Sequence, residues 1–438
     1  MQIDKTTIND LFIFAYEEEQ SVFHHLNFTK TIGGKDWLKH FVSKPFSDLK
    51  DINETQQVIK RLVEVHLQWP VTITNGTVMV IERFYESQVD DIPQHSNTVT
   101  GYSYKIFNST DYSLLRYSIT HFISFIKGMN QIVLLLSQKK NPALLQTMLD
   151  RISLILNKPV LKTVLKYSAE KKLSVKETLS FGYFIRNHFK HDSQDLIEIY
   201  SRLDAYFSLA EACIKHQYTF PEFVDSNKPF VNAEGLYHPL LRTPVAYNES
   251  LRQQQNFLFL TGANMAGKST FIKAMGVAVY MAHLGMAVPA NSMQLTVFDG
   301  VLSNINVVDN IVEGESYFFN EVQRIRKTIE KINDGKKWLI LIDELFKGTN
   351  VQDAMKCSAV VIEGLRKIEN ALFILSTHLY EIGEELKQYP NIQFRYFETE
   401  VKDDQLIFSY QLKDGISNDR LGYIILKREG VVDMLAKL

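Results

Sequence analysis

The sequence predicts a mostly α-helical region over residues 1–225 followed by an α/β domain over residues 226–438. Three observations carry that prediction. The first part places apolar side chains at helical spacing with charges between them. Past "YHPLLRTPV" the chain turns to short continuous apolar runs, "NFLFLTG", "KWLILIDE" and "ALFILSTH", separated by helical stretches. Strands of a parallel sheet covered on both faces need that texture. The first of these runs leads into "TGANMAGKST", residues 261–270, which has the form of a phosphate cradle.

The totals bound the possibilities. A chain of 438 residues is too long for one core and suits two or three domains. With 45% hydrophobic and 22% charged residues it has globular composition. A net charge of -2 gives no global basic field, so any nucleic-acid surface must be a local patch. Cys213 and Cys357 stand in no metal-ligand spacing and read as buried thiols in a reduced, cytoplasmic setting. The start, "MQIDKTTINDLFIF", lacks the pattern of a signal peptide. The most apolar stretch, "FISFIKGMNQIVLLL", is interrupted by Lys127, Gly128, Asn130 and Gln131. No membrane partner is expected.

Within the first part, Leu38, Phe41 and Val42 recur at helical spacing, as do Ile52, Val58, Ile59, Leu62 and Val63. The pair Gly33 and Gly34 stands just before the first of these patterns opens. Two long amphipathic patterns run from Ser113 to Leu136 and from Gln194 to Gln217, and Pro221, Pro229 and Pro239 mark the change of texture. Between Lys127 and Lys190 twelve Lys and Arg stand against three acids, Asp150, Glu170 and Glu177. Such a segment is either a solvated helix face or a phosphate-contacting surface able to bind DNA.

The loop Gly262-Ala263-Asn264-Met265-Ala266-Gly267-Lys268-Ser269 fits G-x-x-x-x-G-K-[ST], and Thr270 continues into the helical stretch "STFIKAMGVAVYMAHL". Its glycines let backbone N–H groups turn onto phosphates, and the helix N-terminus adds partial positive charge. Lys268 would reach the β and γ phosphates of ATP, and Ser269 would take a Mg²⁺ site. Asp343 and Glu344 close "WLILIDE". The first is poised for Mg²⁺, the second to polarise a water for attack on the γ-phosphate. His378, after the third run, is placed to sense that phosphate, although a lone His is more often structural. In "DNIVEGESYFFNEVQRI" a helix opens after Gly314 and Ser316, with Phe318, Val322, Ile325, Ile329 and Ile332 on one face. Ser316 is either a plain N-cap or part of an anion-binding Gly-x-Ser that completes a neighbouring subunit's nucleotide site.

These pieces together resemble the MutS family of DNA mismatch repair ATPases. "TGANMAGKST" is similar to that family's Asn-Met-containing phosphate loop, "LIDELFKGTN" to its second acidic motif, "STHLYEI" to its Thr-His switch, and "EGESYF" to its signature before a helix. "YHPLL" and "VAYNESL" fall where the family places its lead-in strands and residues flanking the base, which brings in Tyr247. "DGISNDRLGYIILKREGV" looks like its terminal helical stretch, and "LNFTKTIGGKDWLKHFVSKPFSDLKDINETQQVIKRLVE" like the start of its lever. The resemblance implies a helical core and lever packed on an ABC-type ATPase that works as a dimer, here a homodimer with ATP sites completed in trans. It implies ATP and Mg²⁺ at the site and DNA held through the lever and the basic segment 127–190.

Some positions depart from the family pattern. The lever begins about 30 residues in, so the mismatch-reading and connector domains are expected to be missing, and branched or distorted DNA is the more natural target. The triplets at Phe84, Phe220 and Phe319 that echo the reading motif are expected to be structural. Glu315 replaces a usual Arg, Phe346-Lys347 replaces a Gly-Arg pair, and Val245 stands where an aromatic often stacks on the base. The competing expectation is a nucleotide-gated clamp whose partner is another protein.

Overall fold

The computed structural model describes all residues except 90, 95–96, 168–170, 307–316, 403–404, 418–430 and 436–438. The chain forms two compact units that interleave along the sequence. One holds Met1–His25, Lys44–Asn53 and His216–Leu438, and the other holds Leu26–Ser43 and Glu54–Lys215.

The second unit is helical. The short helices α1 (Lys5–Asp10) and, but for Leu26, α2 (Val22–Leu26) belong to the first unit, whereas the second is built on α3 (Ile32–Val42), most of α4 (Leu49–Val65), α5 (Asn75–Glu86), α6 (Thr98–Phe107) and α7 (Ser109–Leu136). They are followed by α8 (Ala143–Leu156), α9 (Pro159–Leu165), α10 (Val175–His188) and α11 (Lys190–Lys215). The two long patterns of the sequence are thus α7 and α11. The glycine pair has a steric cause. The buried carboxylate of Asp204 on α11 accepts the amides of Lys30 and Thr31 and the Thr31 hydroxyl, the last at 2.7 Å. A Cβ at Gly34 would lie 2.1 Å from that carboxylate, so only glycine lets α3 start so close to α11. Thr31 then caps α3 through the Gly34 amide.

Helix α7 is long and apolar enough to cross a membrane, and it alone among the described residues meets that test. Leu115, Phe122, Ile126 and Met129 are buried, with Phe122 edge-on to Phe84 of α5 at 5.7 Å and Leu115 pressed against Gly182 of α10. It therefore serves as the central core helix of its unit.

The first unit carries two sheets. The strands are β1 (Glu222–Phe223), β2 (Phe230–Leu236), β3 (Tyr247–Arg252), β4 (Phe257–Gly262), β5 (Ser292–Leu295), β6 (Gly300–Asn304), β7 (Trp338–Asp343), β8 (Ala371–Ser376), β9 (Ile392–Lys402) and β10 (Gln405–Asp414). The smaller sheet has the order β1-β5-β2-β3 and the larger β10-β9-β4-β8-β7-β6. Five strands of the larger sheet run parallel, and β10 pairs with β9 antiparallel. The three apolar runs of the sequence are its neighbouring strands β4, β8 and β7.

These strands are apolar at every position because both faces are covered. On one face Phe259, Ile340, Ile342, Phe373 and Leu375 pack with α13 (Tyr317–Ile332), α14 (Val351–Leu365) and α15 (Glu381–Leu386). On the other face α12 (Lys268–His283) comes so close that a Cβ at Gly276 would lie 2.6 Å from Leu341 and from Leu11. A further helix spans Val431–Leu435. The tail "DGISNDRLGYIILKREGV" lies mostly outside the described residues. The face expected on α13 is altered. Ile325 and Ile332 are buried, Val322 and Ile329 are exposed, and Glu321 takes an inward place instead.

The N-terminal segment completes the edge of the larger sheet. Gln2 pairs with Gly300 as a parallel bridge, and Thr7 accepts the Ser303 amide at 2.8 Å. The buried Asp10 accepts the Ile305 amide at 3.1 Å and the Asn306 amide at 3.2 Å.

Candidate nucleotide site

In the larger sheet the carboxy-terminal ends of β4, β8 and β7 lie side by side, with Asp343 in register with Ser376. Ligands of open α/β sheets gather at such ends. The loop from β4 to α12 borders a cavity of about 430 Å³ there. Its walls include Tyr247, Lys268, Ser269, Glu344 and Tyr410.

The loop's conformation follows from its glycines. Gly262 has φ 139° and Gly267 φ 111°, both left-handed values that L side chains resist, and Gly267 stands directly before α12. Met265, at the tip, has φ 67° and is exposed. Ala263, Asn264, Met265, Gly267 and Thr270 line the cavity as well. Gly262 and Ala266 stand behind it. Ala266 is buried and closes a turn through its amide to the Ala263 carbonyl.

The Lys268 ammonium folds back along the loop and donates to the carbonyls of Gly262 at 2.7 Å and Ala263 at 2.9 Å. Burial pushes its pKa down, while Glu344 and Asp343 pull it up. The Ser269 hydroxyl donates to one carboxylate oxygen of Asp343, and the Ser376 hydroxyl to the other. Asp343 is thereby fixed at the strand tip behind Ser269. The two are oxygen ligands of the type a hard divalent cation takes. Among the described residues no three His, Cys, Asp or Glu gather as a metal cluster.

Glu344 turns away from the strand with φ 66°, a left-handed value for a residue with a side chain. Its amide remains bonded to the Ser376 carbonyl at 3.0 Å. The carboxylate meets the His378 Nε2 on one oxygen and the Lys347 Nζ, at 3.1 Å, on the other. Burial raises its pKa, but His378 and then Lys347 outweigh that and hold it at about 2. Of six described non-glycine residues at positive φ, Met265, Glu344 and Tyr410 border this cavity. Strain concentrated in this way is typical of functional sites.

Tyr247 is buried and stands edge-on to Phe271 at 5.4 Å and Phe397 at 5.7 Å. Val245 lines the same cavity. Ser316, Gly314 and Glu315 lie outside the described residues.

Two participants are absent from the sequence reading. Tyr410 comes from β10, and nothing near it in the chain marks it. Glu321 is buried on α13 and accepts the amides of Lys347 at 3.1 Å and Gly348 at 3.2 Å, which fixes the loop that brings Lys347 to Glu344. Burial raises the Glu321 pKa, opposed by those amides. A Glu three positions after Phe318, among apolar partners, was the available signal.

The chain is 29% identical over 258 residues to the DNA mismatch repair protein MutS of Staphylococcus haemolyticus, covering 57% of this chain and 29% of that protein. It is 31% identical over 232 residues to the MutS of Pseudothermotoga lettingae, covering 52% and 28%. It is 32% identical over 241 residues to the human MutS protein homolog 4, covering 52% and 25%. The chain thus spans less than a third of the length of these relatives. Residues 258–435, from β4 through the last described helix, match the family model described as MutS domain V. Residues 258–435 are thus similar to domain V of the MutS family, and about half of the chain is similar to MutS proteins.

Proposed function

We propose that the chain binds and hydrolyses ATP and acts as a dimeric DNA-binding clamp in mismatch repair or recombination. One observation carries this reading: Lys268, Ser269 and Glu344 border a single cavity, with Asp343 bonded directly behind, inside a MutS domain V.

Lys268 exchanges its two loop carbonyls for β and γ phosphate oxygens, which favour the ionised form against the effect of burial. Ser269 and Asp343 fit Mg²⁺, which when bound supplies charge neutralisation at the phosphates. Tyr247 and Tyr410 flank the base or ribose. Glu344 orients a water and takes its proton as the water oxygen bonds to the γ-phosphorus and the bond to the bridging oxygen breaks, leaving ADP and phosphate. His378 and Lys347 hold Glu344 in place, and the depressed pKa keeps it ionised. Ser316 of a second copy completes the site, so the working form is a homodimer. Distorted or branched DNA is the preferred ligand, in a cytoplasmic setting.

The test is binding of ATP-loaded Glu344→Gln protein to homoduplex, mismatched duplex and four-way junction DNA over a salt series. Preference for one distorted form, with a steep salt dependence, is the expected result. Uniformly negligible binding at low salt overturns the DNA part and leaves a nucleotide-gated clamp for a protein partner.

A further inference from the structure

Within the helical unit a second concavity, of about 470 Å³, lies along α7. The outer stripe of that helix carries Arg116, Thr120, Ser124 and Lys127, spaced so that all four fall on one face. Lys171 and Lys172, in the segment between α9 and α10, close the other side. Four cations therefore border one hollow, and none of its described lining residues is acidic.

Two of the cations are held in place. Lys127, which interrupts the apolar run of α7, donates to the Tyr167 carbonyl at 2.6 Å. Lys171 pairs with Glu177 at 2.8 Å and lies 3.9 Å over the Tyr167 ring. Arg116 and Lys172 are exposed and have no side-chain hydrogen bond or ion pair among the described residues. Ser124 adds a hydroxyl to the lining. A merely solvated basic face spreads its cations and intersperses acids. Here four cations converge on one hollow, and Glu177 offsets only Lys171, so an anion in the hollow would relieve the remaining repulsion.

We propose that this hollow is a docking site for the phosphates of a nucleic-acid backbone. Its volume corresponds to about fifteen waters at bulk density, enough for more than one phosphate group. Arg116 supplies the planar fork that grips phosphate oxygens in pairs, and the lysines supply point charges. No group placed to read base edges is required, so contacts here set position and affinity rather than sequence. The assignment rests on the reading that DNA is a ligand of this chain, and it gives that reading a location formed by Arg116 together with part of the basic segment.

The experiment compares the full-length wild type with Arg116→Gln/Lys172→Gln and with the charge-matched control Lys140→Gln/Lys162→Gln, which lies in the same basic segment but outside the hollow. Labelled duplex and four-way junction are titrated over a salt series, with inorganic tripolyphosphate as competitor. The hollow variant should bind roughly tenfold or more weakly near 0.1 M salt on every DNA, with a log–log salt slope shallower by about two. The control should stay within about twofold of wild type on the same scale. Thermal unfolding and basal ATP hydrolysis of both variants should match wild type. Wild-type DNA binding that the hollow variant retains, or that the control loses equally, overturns the hollow and leaves the DNA reading standing. No wild-type DNA binding at low salt removes both. Occupancy by tripolyphosphate without DNA affinity assigns the hollow to a free polyanion and overturns the nucleic-acid assignment.

Discussion

The His378 imidazole meets the Glu344 carboxylate just beyond the ends of two neighbouring strands, β8 and β7, while Lys347 holds the other carboxylate oxygen at 3.1 Å. A carboxylate gripped from both sides is oriented before any nucleotide arrives. Glu344→Gln should bind ATP normally and lose hydrolysis by about 10²–10⁴-fold, the usual worth of a general base. Lys268→Ala should instead fail to bind. Phosphate release and equilibrium nucleotide binding separate the two, and hydrolysis at the normal rate by Glu344→Gln would falsify the assignment of the base.

Glu321 reaches the same carboxylate indirectly, through the amides of Lys347 and Gly348. Glu321→Ala leaves these N–H groups without their acceptor, at a cost of about 1–3 kcal/mol. As a positioning residue it should lower kcat while leaving ATP affinity unchanged, and Glu321→Gln should restore part of kcat. Equal losses in both variants, tracking thermal stability alone, would reduce Glu321 to a packing role.

Tyr410 stands beside Gly267, where a Cβ would lie 3.5 Å from its ring and 3.7 Å from the Tyr247 hydroxyl. Stacking of a base on an aromatic ring is worth about 1–3 kcal/mol. Tyr410→Ala should therefore raise KM for ATP roughly five- to a hundredfold with kcat little changed, and Tyr410→Phe should behave as wild type. Unchanged KM in the Ala variant would place the base elsewhere.

His283 is fully buried, with Nδ1 against the Phe46 carbonyl at 2.8 Å and Nε2 accepting the Phe298 amide at 3.1 Å. That pattern requires the neutral ring, and burial pushes its pKa down to about 4 from the ordinary 6.5. The unfolded chain binds the proton more readily, so the stability is present above pH 6.5 and is lost as the pH falls through about 4. The linked change is about 3 kcal/mol between these limits. Urea unfolding at stepped pH should show it, and His283→Phe should have a flatter profile over that window even if less stable throughout. An identical slope in the variant would assign the acid sensitivity to other groups.

The parts legible in the sequence are those whose physics is local. A continuous apolar run such as "WLILID" can persist only where both faces are covered, so β4, β7 and β8 announce themselves. The glycines at 262 and 267 mark backbone turns that a Cβ would strain, and the motif that contains them sets Lys268 and Ser269 in the first turn of the helix that follows. The amphipathic lengths of α4, α7 and α11 follow from spacing in the same way.

What spacing could not reveal are meetings between distant parts of the chain. Residues 1–25 and 44–53 belong to the compact unit of the sheets, although they lie in the stretch read as helical and cut near 225. Asp10 serves the end of β6 from about 290 residues away, and Tyr410 faces the loop between β4 and α12 from β10. Val322 and Ile329 fit the helical period of α13, yet Glu321 takes the inward place because two amides from beyond β7 need an acceptor there. Periodicity reports which side of an element prefers to leave water. Only tertiary packing decides which buried polar group meets which partner, because that choice depends on donors and acceptors brought together from far along the chain. The sequence alone determined the glycine loop after β4, the acidic pair at the end of β7 and the two textures of the chain. The tertiary structure decided how Glu344 is held, what flanks the cavity beside it and where Arg116 and the lysines of the helical unit converge.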